Sequence, residues 1–288
     1  MKNLLFLFLI LFYSLSYARV NAAKSTLKAV AAEDVVRDYY RFLGDRNPLQ
    51  IKDFGGPWSR RDVVELVLLQ QVLQAGGFVG EVQFATTPTY SRALLELKNG
   101  SADMSANPVW GYDVDSDENL WLSESAIEEG KFVAGLYGRV DKIPELKKLS
   151  LAELRKQKVT TSFSWTSDRE ALLRAGFKNL EDGGNWERMV RMVKHDRVPL
   201  MLSAFHEDKD FGFDVDGIRL RPVPGYKILL KGKRVWAISK KNPGAQNAIV
   251  ALQKGFRILK KRGVIDKAYR ESGFYNSHVE SWMELGAN

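Results

Sequence analysis

The fold class follows from one stretch, RALLELKNGSADMSA at residues 92–106. The leucines in its first half recur at helical spacing, and Gly100 is a typical residue for the end of such a helix. The second half, Ala102–Ala106, is a short run suited to a buried strand. A helix that passes directly into a strand is half of a strand–helix–strand unit. We therefore predict an α/β fold with parallel strands joined by right-handed crossovers.

The same alternation continues on both sides of this stretch. Upstream, Leu49–Lys52 has the pattern of a short strand, and Ser59 with Asp62 resembles a helix N-terminal cap. Apolar residues then repeat at helical spacing over residues 63–73, and a strand is predicted at 81–85. Downstream, further strands and helices are predicted at residues 158–163, 186–193, 200–205, 218–228, 234–239 and 243–263. The return of the pattern suggests two lobes built alike, although any helix-to-strand junction would look similar.

The composition excludes several classes of protein. The chain has 288 residues, of which 45% are hydrophobic, 27% are charged and none is cysteine. Collagen, coiled coils and extensive disorder are excluded, as are disulfides, cysteine zinc sites, iron–sulfur clusters and cysteine nucleophiles. The formal charge is +8. The basic run at residues 254–262 fits the exposed side and end of a helix, so we predict no nucleic-acid binding.

The first residues have the layout of a secretory signal peptide. Lys2 provides a positive start, Leu4–Leu15 is almost entirely apolar, and Ala18 or Ala22 fits a cleavage site. The rival interpretation is a membrane anchor, but the apolar run is shorter than the roughly 20 residues that a spanning helix needs. We predict a signal peptide at residues 1–22, whose removal takes away two positive charges and lowers the formal charge from +8 to +6. The mature protein would be exported and not embedded in a membrane.

Three stretches carry a resemblance to a known family. They are ELVL (65–68) with RALLELKNGSAD (92–103), LAELRKQKV (151–159), and RVWAISKK (234–241) with the helix that ends at Arg262-Gly263. In this order and spacing they resemble the periplasmic solute-binding proteins of family 3, the substrate-binding components of ABC transporters. The resemblance implies a two-lobed type II periplasmic-binding-protein fold. Each lobe would be a mostly parallel sheet flanked by helices, with the ligand cleft between the lobes.

The resemblance also implies the domain organisation and the partners. The first lobe would comprise residues 23–135 and 226–288, and the second lobe residues 136–225. The chain would cross between them at Phe132–Leu136 and Val223–Tyr226, where glycines permit hinge bending. The expected function is capture of a small-molecule solute for an inner-membrane ABC permease. The protein would be a monomer that needs no cofactor and is not an enzyme.

The expected location follows from the signal peptide and the absence of cysteine. A binding protein on a cell with one membrane normally needs a lipid-bearing cysteine to stay attached. A chain without one needs a second membrane to retain it, so we predict a periplasmic location with no lipid anchor.

The sequence departs from the amino-acid-binding members of the family at both of their ligand clamps. Leu122-Ser123 stands in place of a Phe-Ser step, and Ser116 falls near the place of the arginine that binds the ligand carboxylate. In the second lobe, Asp196-Arg197-Val198-Pro199 replaces a Gly-Arg-x-Asp turn whose aspartate can meet the ligand amino group. The sequence therefore leaves the ligand unidentified and argues against an α-amino acid.

Loops that follow the carboxyl ends of the predicted strands hold the candidate ligand-binding residues. Aromatic side chains from both lobes could enclose a flat solute, and the turn Ser164–Ser167 could bind an anion. The alternatives are that Trp58 and Trp110 pack as local core, and that Ser167 with Glu170 only caps a helix. The predicted ligand-binding residues are Phe54, Trp58, Tyr90, Ser91, Asn107, Trp110, Trp165, Thr166, Ser167, Phe205 and His206.

One acidic stretch leaves a metal site open. Asp113, Asp115, Asp117 and Glu124 have the spacing of a calcium-binding loop, but Glu118 stands where that loop needs glycine. The other interpretation is a solvated acidic loop, and we predict no metal.

Two alternatives to a transport role stay open. His206 beside Glu207 leaves room for an enzyme on the same fold, such as a dehydratase-like one. A ligand-sensing partner of a membrane receptor is the other alternative. No motif of a known catalytic class is present, so we predict no catalytic residue.

Overall fold

The computed structural model describes residues 25–215 and 217–287. The predicted signal peptide lies outside the described residues. Within them, the chain forms two mixed β-sheets flanked by helices, and we call each sheet with the helices packed on it a lobe. No helix among the described residues is long and apolar enough to cross a membrane.

The strands of the first sheet come from both ends of the described chain. They are β1 (Ser25–Ala32), β2 (Gly80–Thr87), β3 (Met104–Ser105), β4 (Val109–Trp110), β5 (Leu120–Ile127) and β13 (Arg234–Ser239). Their order is β2-β1-β3-β13-β4, and β5 also pairs with β13. β1 is parallel to β2 and β3, whereas β13 is antiparallel to β3, β4 and β5.

The second sheet is built mainly from the middle of the chain. Its strands are β6 (Val133–Arg139), β7 (Val159–Thr161), β8 (Leu180–Asp182), β9 (Leu200–Ala204), β10 (Phe213–Val215), β11 (Ile218–Pro222), β12 (Tyr226–Leu229) and β14 (Met283–Leu285). The order is β10-β11-β6-β9-β7-β8, with β12 beside β6 and β14 beside β12. Among the described strands of this second sheet, only the pairs β7–β8, β7–β9 and β12–β14 are parallel.

Helices cover the sheets, and the most buried of them lies in the first lobe. The helices are α1 (Glu33–Leu43), α2 (Arg61–Ala75), α3 (Tyr90–Asn99), α4 (Ile143–Lys148), α5 (Leu151–Leu154), α6 (Thr166–Arg174), α7 (Trp186–Lys194), α8 (Ala245–Lys261) and α9 (Val264–Glu271). α2 is buried along most of its length and packs closely on α8. A Cβ atom on Gly255 would lie 1.8 Å from the carbonyl oxygen of Val72, so only glycine permits this approach.

The chain passes between the lobes twice at neighbouring positions. It leaves the first sheet after Ile127 and enters the second at Val133, and it returns between Leu229 and Arg234. The two connections are joined where the N–H of Leu230 donates a hydrogen bond to the carbonyl of Phe132 at 2.9 Å. The lobe boundaries at residues 135 and 225 stay a prediction, but β12 and β14 lie in the second sheet.

The structure confirms the two-lobed α/β architecture but corrects the expectation of mostly parallel sheets. β13 reaches the first sheet directly from the second lobe, without a crossover helix, and therefore runs against its neighbours. The segment predicted as a strand at Leu49–Lys52 instead overlaps a 3₁₀ turn at Pro48–Gln50. Ser59 does not cap α2; its hydroxyl instead donates to the carbonyl of Phe54 at 2.5 Å.

Candidate ligand-binding cleft

A cavity of about 300 Å³, which we call the inner cavity, lies between the two lobes. The last residues of three strands in the first lobe, Ala32, Thr87 and Ser105, line it, and Ala204 at the end of β9 lines it from the second lobe. The carboxyl ends of these strands therefore point toward one space. This is the place where open α/β sheets bind their ligands.

Six of the predicted ligand-binding residues line the inner cavity. They belong to both lobes, so closure of the cleft brings them to one ligand-sized space. The residues are Tyr90, Asn107, Trp110, Trp165, Phe205 and His206.

The other five predicted residues lie outside the inner cavity, for different reasons. Phe54 is a core side chain with 1% of its surface exposed. Ser91 and Thr166 stand on exposed helix surfaces. Ser167 is buried and does not cap α6; its hydroxyl is paired with the hydroxyl of Tyr112 across the lobes. Trp58 lines a second cavity, described below, and ligand binding by all five stays a prediction.

An arginine that sequence reasoning missed lies at the wall of the inner cavity. Arg234, the first residue of β13, is only 8% exposed, and its Nε donates to the carbonyl of Pro108 at 2.9 Å. Its guanidinium carbon lies 4.8 Å from the Trp110 ring centroid and 5.7 Å from that of Phe132. Among the described residues, no carboxylate lies within ion-pair distance of it. Burial, and then the nearby Arg61, lower the pKa of Arg234.

The neighbouring Arg61 has a counter-ion, in contrast to Arg234. Its Nη1 donates to both carboxylate oxygens of Glu65, each at 2.8 Å. Glu65 is fully buried and also accepts hydrogen bonds from the amide of Asn107 and the hydroxyl of Tyr269. The charge of Arg61 is therefore offset locally, and Arg234 supplies the excess positive charge in this part of the cleft.

An acidic residue of the second lobe also lines the inner cavity without an ion-pair partner. Asp168 lies in the first turn of α6 and has no cationic group within ion-pair distance among the residues described. Burial raises the pKa of its carboxyl from 3.8 to about 6, although the charges of Arg234 and Arg61 act in the opposite direction. The cleft thus carries an unpaired cation in one lobe and an unpaired carboxyl group in the other.

Arg60 closes one side of the inner cavity. Its guanidinium pairs with Asp34 at 3.0 Å, Asp38 at 3.1 Å and Asp62 at 2.5 Å. On the other side, its guanidinium carbon lies 5.0 Å from the ring centroid of Trp186, in the opposite lobe. Three carboxylates surround this arginine, so it cannot serve as a free anion-binding group.

His206 stands in the same region as a neutral imidazole. It is 9% exposed, and its ring lies 4.4 Å from that of Phe213. Burial, followed by the charge of Arg60, lowers the pKa of His206 from 6.5 to about 4. The imidazole is therefore uncharged at neutral pH.

A second space, which we call the outer cavity, adjoins the first and measures about 630 Å³. Trp58 lines it, with half of its surface exposed and a backbone φ of 68°, which is uncommon for a bulky residue. The guanidinium carbon of Arg41 lies 4.5 Å from the Trp58 ring centroid. The tryptophan is therefore neither local core nor a wall of the inner cavity.

The acidic stretch near residue 113 does not form a cation site. Asp113 accepts a hydrogen bond from the hydroxyl of Tyr90, while Asp115, Asp117 and Glu124 pair with Lys233, Lys98 and Arg257 respectively. Three of the four carboxylates are thus paired with three different cationic side chains. Across residues 25–215 and 217–287, no group of three or more acidic, histidine or cysteine side chains could hold a metal.

The missed cleft residues had a signal in the sequence. Arg60, Arg61 and Asp62 are three charged residues directly before the apolar run of α2, and only Asp62 is predicted to have a role, with Ser59 in a helix cap. Arg234 opens an otherwise apolar strand, RVWAIS, in which every residue is buried. A charge at the end of a buried strand is costly unless it serves a partner or a ligand.

Comparison with solved structures identifies the fold. One match is a probable amino-acid ABC transporter extracellular-binding protein from Bacillus subtilis, with a TM-score of 0.56 and 13% identity over 87% of this chain and 99% of that chain. A second is an ancestral arginine-binding protein bound to arginine, with a TM-score of 0.53 and 13% identity over 86% of this chain and 98% of that chain.

A third match is an ancestral amino-acid-binding protein described as a precursor of cyclohexadienyl dehydratase. It has a TM-score of 0.52 and 16% identity over 86% of this chain and 95% of that chain. No protein-family model matches the sequence, and no curated protein matches it. These likenesses confirm the predicted fold, that of two-lobed type II periplasmic binding proteins.

Proposed function

We propose that this chain is an exported solute-binding protein of family 3 that captures a small solute between its lobes and delivers it to an inner-membrane ABC-type permease. The fold, the cavity between the lobes and the sequence layout of a signal peptide support this proposal. A periplasmic location and a monomeric state belong to the same proposal.

One observation carries the ligand-binding role, namely the two unpaired charges that line the inner cavity from opposite lobes. A buried arginine without a counter-ion is costly, so the fold tolerates Arg234 more easily if a ligand supplies the anion. Asp168 could accept an ammonium or another donor in the same way. The arrangement favours a small solute that carries both an acidic group and a basic group.

The pair of Arg234 and Asp168 changes the sequence-based expectation that the ligand is not an α-amino acid. Arg234 on β13 and Asp168 on α6 supply the two charges that the usual arginine and aspartate positions lack in this sequence. The named neighbours bind amino acids, so a zwitterionic solute is the ligand class that we propose. A ligand held by both lobes stabilises the closed arrangement in proportion to its preference for that form.

A thermal-shift screen tests this proposal directly. The purified protein is heated with matched sets of compounds: free L-amino acids, carboxylic acids without an amino group, and amines without an acid. We expect stabilisation by members of the first set, by about 2.7 kcal/mol at 100 times Kd. Stabilisation by no compound, together with no co-purified small molecule in native mass spectrometry, would refute the solute-binding role.

Matched variants locate the binding group. Arg234→Met should abolish the shift, whereas Arg188→Met, which removes an exposed arginine outside both cavities, should leave it unchanged. Binding of an acid with undiminished affinity by Arg234→Met would refute the role of Arg234. Equilibrium unfolding of each variant shows whether it is folded.

A same-fold enzyme that uses His206 or Glu207 has less support. The pKa of His206 is lowered to about 4, which makes the imidazole a weak base. One carboxylate oxygen of Glu207 accepts a hydrogen bond from the N–H of Gly56 at 2.7 Å. Turnover of a bound compound that is lost in His206→Ala would instead favour catalysis. Recovery of a receptor rather than a permease from inner membranes would favour sensing.

A further inference from the structure

The inner and outer cavities meet at a wall made by both lobes. Four residues line both spaces, namely Arg60, Trp186, Glu187 and His206. Arg60 belongs to the first lobe and the other three to the second. The inner cavity of about 300 Å³ and the outer cavity of about 630 Å³ therefore border each other at these four residues.

The first-lobe half of this wall is fixed in place. Arg60 donates to three different carboxylates, of Asp34, Asp38 and Asp62. A guanidinium held by three partners cannot change its rotamer without breaking several charge-assisted hydrogen bonds. The guanidinium of Arg60 is therefore held at the edge of the cleft, and the three carboxylates already balance its charge.

The second-lobe half is fixed by packing and by its neighbours along the helix. Trp186 is the first residue of α7, and Asn185 before it caps the helix by accepting a hydrogen bond from the N–H of Arg188 at 2.9 Å. The Trp186 ring lies 5.5 Å from that of Phe213. Glu187 is tied to Arg37 of the first lobe. The indole is therefore held against Arg60, at a centroid distance of 5.0 Å.

We propose that the contact between Arg60 and Trp186 sets the upper size of the solute, and that Trp186 is a specificity-determining residue. This inference rests on the proposed solute-binding function and adds a limit to it. A solute anchored at Arg234 occupies the inner cavity, and its far end meets the indole of Trp186. The wall blocks the passage from the inner cavity to the outer one. Solutes that are too long for the inner cavity are therefore excluded.

The volumes of the inner and outer cavities indicate how the wall would limit the length of a solute. The inner cavity lies at the small end of the roughly 300–1,000 Å³ range of ligand pockets. Without the indole it would open into the larger outer cavity, which is lined in part by apolar side chains such as Val190 and Phe213. A longer apolar chain could then leave the inner cavity and still be buried.

The test uses L-α-amino acids with unbranched apolar side chains of increasing length, namely alanine, 2-aminobutyrate, norvaline, norleucine and 2-aminooctanoate, in which the spacing of the two charged groups stays constant. Each is titrated calorimetrically into the wild type, Trp186→Ala and Trp186→Phe. In the wild type we expect affinity to fall by about 10-fold or more beyond a limiting length. Trp186→Ala should bind the longer members at least about 10-fold more tightly than the wild type, and Trp186→Phe should lie between them.

The control is Trp121→Ala, which removes an indole on β5 that lines neither cavity, and it should keep the wild-type limit. The same limiting length in Trp186→Ala and the wild type would overturn the inference and leave the proposed function standing. If no member binds any of the proteins, the zwitterionic ligand of the proposed function is refuted, and the size limit falls with it.

Discussion

Arg37 on α1 donates a hydrogen bond from Nη1 to Oε1 of Glu187 on α7 at 2.5 Å, and this ion pair joins the two lobes beside the cleft. Their side chains are 39% and 35% exposed, so solvent and salt weaken the attraction. A second link joins the lobes where the N–H of Gly56 donates to Glu207 at 2.7 Å. Both links require the lobes to be close together, so they favour the closed arrangement.

Removing the charge of Glu187 should loosen closure. An exposed ion pair contributes about 0.2–1 kcal/mol, so we expect Glu187→Gln to shift the balance between open and closed forms by up to about 5-fold. Small-angle X-ray scattering of the ligand-free protein should give a larger radius of gyration for the variant at low salt. The difference should shrink at high salt because the wild-type pair is then screened.

The control for that variant is Glu181→Gln. Glu181 pairs with Lys158 at 3.3 Å, with comparable exposure, but both residues belong to the second lobe. Its loss should leave the radius of gyration unchanged. If Glu187→Gln and the wild type scattered identically at low salt, the pair between Arg37 and Glu187 would not contribute to closure.

The carboxylate of Glu65 should contribute mainly to the stability of the fold. Glu65 is fully buried, and Glu65→Gln would leave the guanidinium of Arg61 with only the more distant Asp62, at 3.8 Å, as counter-ion. We expect the free energy of unfolding to fall by about 3–5 kcal/mol, measured by urea denaturation. In contrast, Glu96→Gln removes a surface pair with Arg92 and should cost less than about 1 kcal/mol. Equal losses in the two variants would contradict this account of Glu65.

The parts of the fold that could be predicted are those with strong local patterns. The helix predicted at residues 186–193 and the strand predicted at residues 234–239 both appear in the structure, as Trp186–Lys194 and Arg234–Ser239. β1 and α1 were missed, although β1 is the central partner of β2 and β3. Its sequence, STLKAVAA, has small residues and no clear turn signals, so its identity as a strand depends on long-range pairing with neighbours.

The cleft was harder to predict than the fold, for a related reason. Residues after strand ends, such as Tyr90 and Asn107, could be placed by the geometry of α/β sheets alone. Arg234 could not, because its role depends on the return of the chain from the second lobe. Phe54 follows the segment Leu49–Lys52, which is predicted as a strand but begins in a 3₁₀ turn, and its side chain lies in the core rather than at the inner cavity.

The carboxyl of Asp168 should make both binding and stability depend on pH. Burial raises its pKa to about 6 from 3.8, so between these values the folded state holds the proton more tightly than the unfolded state. This contribution to stability is complete below pH 3.8 and is lost as the pH rises through about 6. Asp168→Asn should therefore be more stable than the wild type at pH 7, by about 2 kcal/mol.

The affinity for the ligand should change with pH in the opposite direction to the stability contribution of Asp168. A ligand ammonium pairs with the ionised carboxylate, so the wild-type affinity for a zwitterion should fall as the pH drops below about 6. Calorimetry at several pH values should show this fall in the wild type and a weaker, pH-independent affinity in Asp168→Asn. An identical pH profile in both proteins would exclude Asp168 from ligand recognition.

His206 should make the protein less stable as the pH falls, which is the reverse of the effect of Asp168 over a similar pH range. Burial and Arg60 lower its pKa from 6.5 to about 4, so the unfolded state binds a proton that the folded state does not. The stability that this neutral imidazole contributes is present above pH 6.5 and is lost as the pH falls toward 4. His206→Phe keeps the ring beside Phe213 and removes the titrating group, so its unfolding free energy should fall less between these pH values, by up to about 3 kcal/mol.

His195→Phe, which changes an exposed histidine, should retain the wild-type slope in urea denaturation across this range. If the slope of His206→Phe matched that of the wild type, the buried imidazole would not be the group that drives acid destabilisation.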